Sequence, residues 1–206
     1  MRSSVMPRQA GTKEVTKSAL LEAGTKIMLE KGYNNTGIQE VLELTGVPKG
    51  SFYYYFDSKE DFALQIIDYF DTNYAQHLGQ FLDDKRLSPV ERLRAYCEEG
   101  RKNFEGNHCR KGCLIGNLSQ EMSDQSEALR ARLEEKLTRW RNRFAQCIKE
   151  GQERGEISRD YDHVQLAEFF LSGCHGALMR AKTTKTTVPQ QAFMTIMFDH
   201  VLKPRS

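Results

Sequence analysis

Two stretches of this chain hold residue types whose spacing could do chemistry. The first is Arg110-Lys111-Gly112-Cys113-Leu114-Ile115-Gly116-Asn117-Leu118-Ser119-Gln120-Glu121-Met122. Cys113 falls at the expected start of a helix, directly after two cations. A helix N-terminus and neighbouring cations both favour thiolate over thiol, and a thiolate attacks electron-poor alkenes and oxidants. Cys109, four residues earlier, could resolve an oxidised Cys113. The plainer use of Cys113 is as a small buried hydrophobe, and the residues alone leave both uses open. The second stretch is Pro48-Lys49-Gly50-Ser51-Phe52-Tyr53-Tyr54-Tyr55-Phe56. Phe52 and Phe56 are four apart, so on a helix they face inward together. Tyr53, Tyr54 and Tyr55 then point partly or fully outward. Exposed phenols beside Lys49 suit a nucleic-acid surface, because hydroxyls donate to phosphates and rings meet thymine methyls. Gly50 and Ser51 keep the leading turn thin enough for close backbone approach. The alternative is that Tyr53 and Tyr54 end an ordinary core.

Other clusters carry less. His108, Cys109, Cys113, Cys174 and His175 could be gathered into a metal or thiol site, but His-Cys-x3-Cys matches no common zinc spacing. No metal and no cofactor is therefore expected, and an enzyme and a protein-interaction adaptor are the weaker rival classes. Five cysteines are an odd number, and the opening MRSSVMPRQAGTKEV lacks the apolar stretch of a secretory signal, so a disulfide framework is not expected. No apolar run reaches the ~18 residues of a membrane span, so the expectation is a cytoplasmic chain that does not engage a membrane.

Hydrophobic residues are 39% and charged residues 28% of 206, which is the balance of a globular protein. The net charge of +2 does not mark a globally basic nucleic-acid binder. Its distribution is more telling. Arg2, Arg8, Lys13 and Lys17 stand against Glu14 alone in the first twenty residues, which makes either an arm for phosphates and minor grooves or a solvated tail.

The elements that must position these residues read as helix after helix, with no convincing strand pattern. Val15, Ala19, Leu20, Ala23, Ile27 and Met28 recur at helical spacing over 12–31, and Gly32 stops that helix. Thr36 is the expected N-cap of a short helix over 37–44. Thr45-Gly46-Val47-Pro48 is a tight turn, with Pro48 suited to the first position of a helix over 48–55. Two short helices joined by a four-residue turn containing Gly is the helix-turn-helix plan. Asp57 or Ser58 caps a long helix over 59–82. Beyond it come helices from Ser88 to about Phe104, over 113–122, over 124–154, over 162–182 and over 189–203, with a loop at 105–112.

At this point the sequence resembles a known family. Residues 12–62 are similar to the DNA-binding domain of the TetR family. The matching features are Glu30-Lys31-Gly32-Tyr33, Thr36, Gly46-Val47-Pro48-Lys49-Gly50-Ser51-Phe52-Tyr53 and Tyr55-Phe56-Asp57-Ser58-Lys59-Glu60. Pro48 and Phe52 stand where Ser and Leu are commoner, and both keep the local geometry. The resemblance implies an all-α fold: a three-helix helix-turn-helix domain over 1–58, then a helical ligand-binding and dimerisation domain over 59–206. It implies a repressor that holds double-stranded operator DNA and is released by a small-molecule inducer. Lys49, Gly50, Ser51, Tyr53 and Tyr54 would lie at the DNA, with Thr36 and Lys59 on phosphates.

The same resemblance implies a homodimer through the last two helices. Gly173 and Gly176 would allow close approach there, and Phe169, Phe170, Leu171 and Leu178 would supply apolar area. The alternative use of these residues is intramolecular core. Arg110–Met122, Trp140-Arg141-Asn142-Arg143 and Gly176-Ala177-Leu178-Met179-Arg180-Ala181-Lys182 are similar to an acrylate- and electrophile-responsive branch of the family. In that branch the Gly-Cys-Leu cysteine and the lysine of the Ala-Lys pair mark the sensing region. Carried over, these are Cys113 and Lys182, in a pocket shared with Trp140 or Arg180. Lys182 would pair with a carboxylate or a thiolate, or else it is a surface lysine near a helix end.

Overall fold

The computed structural model describes residues 10–204, with side chains described from Lys13 onward. Arg2 and Arg8 of the basic arm lie outside the described residues. Among those described there are nine α-helices and no strand.

The first three helices form one small layer. Helix α1 (Ala10–Lys31) ends where Gly32 takes φ +81°, a left-handed backbone that residues with a Cβ rarely adopt. It buries Leu20, Ile27 and Met28, whereas Val15 is 70% exposed. Helix α2 (Ile38–Thr45) buries Val41 and Leu42 and stops at Gly46, also left-handed at φ +65°. Pro48 then opens a single 3₁₀ turn, Lys49–Ser51, which continues into α3 (Phe52–Tyr55). The expected helix over 48–55 is thus split. Gly50 is a poor helix former, and the tighter turn before Phe52 follows from it.

Helix α4 (Lys59–Leu82) is capped by Ser58, whose hydroxyl accepts from Asp61 N at 2.9 Å. Helix α5 (Pro89–Gly106) begins with a reciprocal capping box between Ser88 and Glu91. Helix α6 is Leu114–Met122, α7 is Glu127–Glu153 and α8 is His163–Thr184. Helix α9 (Val188–Ile196) runs into a π-helical turn, Met197–Val201. Helix α7 starts later than the expected Asp124 because Ser126 caps it, accepting from Leu129 N.

Packing joins these helices through α4. Its N-terminal half lies on α1 and its C-terminal half on α5 and α7, while α6 touches α7, α4 and α1. An added Cβ on Gly24 would sit 2.4 Å from Phe62, so α1 and α4 meet at a point only glycine allows. Gly173 plays the same part between α8 and α9, where Phe193 lies 2.3 Å from a built Cβ. That corrects half of the expected dimer face. Gly173, Phe170 and Leu171 serve the subunit's own core, and only Phe169 and Gly176 of the set are exposed.

A buried cation ties α5 to α7. Arg92, 1% exposed, donates to the Leu87 and Leu82 carbonyls and forks onto both Glu150 oxygens at 3.0 and 2.6 Å. Hydrogen bonds from Arg92 and then Lys85 hold the Glu150 carboxyl down to about 2. Its folded value lies below the ordinary carboxylate value, so the stabilisation is complete above roughly pH 4.5 and is lost as pH falls toward 2. Thermal melts between pH 6 and pH 3 should therefore show a falling Tm. Glu150→Gln should lower Tm at pH 6 by several degrees and flatten that pH dependence, since Arg92 is left buried without its counter-charge.

Candidate nucleic-acid interface and small-molecule cavity

The N-terminal surface is built from below. Phe52, Phe56 and Phe62 are each 1% exposed or less, and their ring centroids lie 4.6–5.3 Å apart in tilted and edge-on contacts. This trio clamps α3 onto α4, and Val47 packs beneath the turn. The opposite face is bare. Tyr53 is 68% and Tyr54 65% exposed, Lys49 and Gly50 are exposed, and Ser51 is half-buried. A Cβ built on Gly50 meets nothing within 4 Å, so its value is thinness toward whatever lies outside. Tyr55 turns back onto the core. Lys13 of the basic arm reaches over the Tyr54 ring at 4.4 Å, and Lys17 lies 5.9 Å from that of Phe56. Part of the arm thus extends the same cationic, aromatic surface.

Two expected phosphate residues sit differently from that face. Thr36 is 3% exposed and its hydroxyl donates to the Gly32 carbonyl at 2.6 Å. Its side chain is corrected from a phosphate contact to a pin inside the α1–α2 turn. The N-cap of α2 is Gly37, which makes no side-chain cap bond. Lys59 is half-buried. Its Nζ donates to the Asn34 carbonyl at 3.3 Å and lies 4.7 Å from the Tyr33 ring centre. Partial burial lowers its pKa, opposed by Glu121.

Glu121 was not singled out by sequence, and it is central. Its two carboxylate oxygens accept the backbone N–H groups of Tyr33 and Asn34, each at 2.8 Å. Glu121 is on the last turn of α6, so that helix is bonded directly to the α1–α2 turn. The other end of α6 is Cys113, its N-cap residue.

Cys113 lines a cavity of about 290 Å³ between α4, α5, α8 and α9. Phe70, Phe193, Met194 and Leu178 give it an apolar wall; Tyr74, Tyr96, His77, Glu99, Asn103, His175 and Gln190 add polar groups. Cys97 and Cys174 also line it. The loop before Cys113 is conformationally costly. His108, Cys109 and Lys111 all have φ between +53° and +61°.

The four expected ligand residues are not brought together. Of them only Cys113 lines the cavity. Trp140 is 1% exposed behind the wall. Its ring stacks on Tyr74 with centroids 4.0 Å apart, and its Nε1 donates to buried Asp71 at 2.7 Å. Arg180 is exposed, and Lys182 is half-buried outside the lining. The expected thiolate is also reversed. Burial raises the Cys113 pKa to about 11, and the N–H groups of Gly116 and Ile115 offset only part of that. Lys111, expected beside the thiol, is instead 3.3 Å from Glu30. The cysteine fell where the sequence put it, but the cations point elsewhere.

Comparison with known proteins bears on both surfaces. Residues 20–66 match the family described as bacterial regulatory proteins, tetR family. Residues 89–197 match the tetracyclin repressor-like C-terminal domain. The chain is 40% identical to the transcriptional regulator AcuR of Cereibacter sphaeroides, covering 91% of this chain and 85% of that protein. It is 37% identical to the repressor DhaR of a Mycobacterium species, over 89% of this chain and 90% of that one. The crystal structure of reduced Escherichia coli NemR superposes with a TM-score of 0.83 at 27% identity, covering 93% of this chain and all of that one.

The raised thiol pKa has a direct consequence. Alkylation of Cys113 by iodoacetamide in the folded protein should be far slower at pH 7.5 than that of a free cysteine, and should climb as pH rises toward about 11. Peptide mapping after timed alkylation measures it, and a plateau below pH 8 would contradict the raised value.

Proposed function

Because this chain belongs to the tetR family of bacterial regulatory proteins, we propose how its two surfaces divide the work of a transcriptional regulator. It is a DNA-binding regulator of the TetR type and not an enzyme. In the proposed reading it is a repressor that leaves its operator when a small molecule enters the cavity beside Cys113. Lys49, Gly50, Ser51, Tyr53 and Tyr54 meet the major groove, and Lys59 swings from the Asn34 carbonyl to a phosphate. Residues 1–58 form the DNA-binding part and 59–206 the sensing and dimerising part. The observation that carries the DNA reading is the two-sided character of α3: one face locked by Phe52 and Phe56, the other presenting two largely bare tyrosines and a lysine.

A homodimer through α8 and α9 fits the apolar side chains left on their outer surface. Phe169, Met179, Val188 and Ile196 are each more than half exposed. Dimerisation sets two copies of α3 about one helical turn of DNA apart, ~34–36 Å. A ligand that prefers another spacing drains the DNA-bound population. Helix α6 supplies the link, since its N-cap Cys113 lines the cavity and its last turn holds the α1–α2 turn through Glu121.

Operator selected from random DNA should bind the wild-type chain with an affinity that falls steeply with salt. Lys49→Ala and Tyr53→Ala should each weaken it roughly tenfold with unchanged circular dichroism. Retained affinity in both would remove α3 from the interface. Cys113→Ser should keep operator binding and lose release by electrophiles such as maleimides or quinones, a release that in the wild-type chain is slow near neutral pH and quickens as pH rises because the buried thiol must first ionise; unchanged release sinks the sensing role of this thiol. Glu121→Ala should keep ligand binding but cut the ligand-induced loss of operator affinity by about tenfold.

A further inference from the structure

The resemblance leaves two ligand chemistries open at this cavity, an unsaturated carboxylate and a neutral electrophile. The wall discriminates between them. No lysine or arginine is among the described residues that line it. Arg180, the side chain expected to meet a carboxylate together with Lys182, is exposed, and neither reaches the lining. The polar groups that do line the cavity mostly satisfy each other. The Tyr74 and Tyr96 hydroxyls share a hydrogen bond, and His77 Nε2 lies 3.1 Å from Glu99. Gln190 is different. Its side-chain oxygen Oε1 is buried and has no hydrogen-bond partner among the described residues. That atom has essentially no surface open to the cavity, so Gln190 brings neither a charge nor a reachable acceptor to the wall.

Burial also keeps the wall in its uncharged forms. It pushes the Tyr74 and Tyr96 phenols up and the His175 imidazole down. A carboxylate placed here would lose its hydration, gain no lysine or arginine and face Glu99 across the cavity. A neutral molecule loses little on entry and gains the apolar contacts of Phe70, Phe193 and Met194.

Resting on the reading of this cavity as the inducer site, we propose that it takes a small, uncharged, largely apolar molecule, and that it rejects free carboxylates. An amide or alcohol of an unsaturated or aromatic group fits this description. An acid of the same shape does not.

Calorimetric titration of the full-length protein tests it with pairs matched in shape and differing in charge: benzamide against benzoate, and acrylamide against acrylate. The uncharged member of each pair should bind at least about tenfold more tightly. Gln190→Arg should turn the preference toward benzoate. Benzoate or acrylate binding as tightly as its amide overturns the proposal, and so does failure of both amides to saturate. Gel shifts on the same samples keep the two readings apart. An amide that binds without releasing the operator overturns the inducer reading and leaves the ligand class standing. A carboxylate that binds and releases it does the reverse.

Discussion

Helix α4 is one long helix that packs on α1 and also on α5 and α7 within a single continuous core, and the rest of the structure follows from that constraint. At ~1.5 Å per residue its 24 residues span about 36 Å. Phe62 and Ile66 at one end complete the core under α3, against Gly24 of α1. Phe70 and Tyr74 further along line the cavity. Between them Asp71, 1% exposed, accepts from Trp140 and pairs with Arg139 of α7. A buried carboxylate held on two sides fixes the rotation of α4 against α7.

Helix α6 is the second, shorter route between the same places. Its N-cap, Cys113, lies on the cavity, and Glu121 in its last turn holds the α1–α2 turn. The Glu121 carboxylate does for that turn what a capping side chain does for a helix end, accepting two backbone donors. The same turn is braced inside by Thr36 and outside by Lys59. The left-handed residues at 108, 109 and 111 set the direction in which α6 leaves α5, and strained backbone of this kind persists only where surrounding packing enforces it.

The helix-turn-helix was legible in the residues because its determinants are local. Gly46 must be left-handed, Pro48 must start a turn, and Phe52 and Phe56 must share a face; each follows from sequence neighbours. Where local reasoning reached for a partner far along the chain, it did less well. Thr36 read as a surface cap and is a buried pin. Gly173 and Phe170 read as dimer face and serve the subunit's own packing. Trp140, Arg180 and Lys182 read as one pocket with Cys113, yet one is behind its wall and two are outside it.

The sequence by itself determined the helices, their order, the bare face of α3 and the place of Cys113 at the head of α6. These depend on interactions within a few residues, whose geometry the backbone dictates. Only the tertiary structure decided the character of the cavity. Whether a thiol is raised or lowered depends on the burial and charges that four helices bring around it, and cations adjacent in sequence can face Glu30 or solvent instead. The pairing of Tyr74 with Tyr96 and the grip of Glu121 on Tyr33 and Asn34 both join residues far apart in the chain. Such contacts leave no period or motif to read, because they arise only when separate helices are packed.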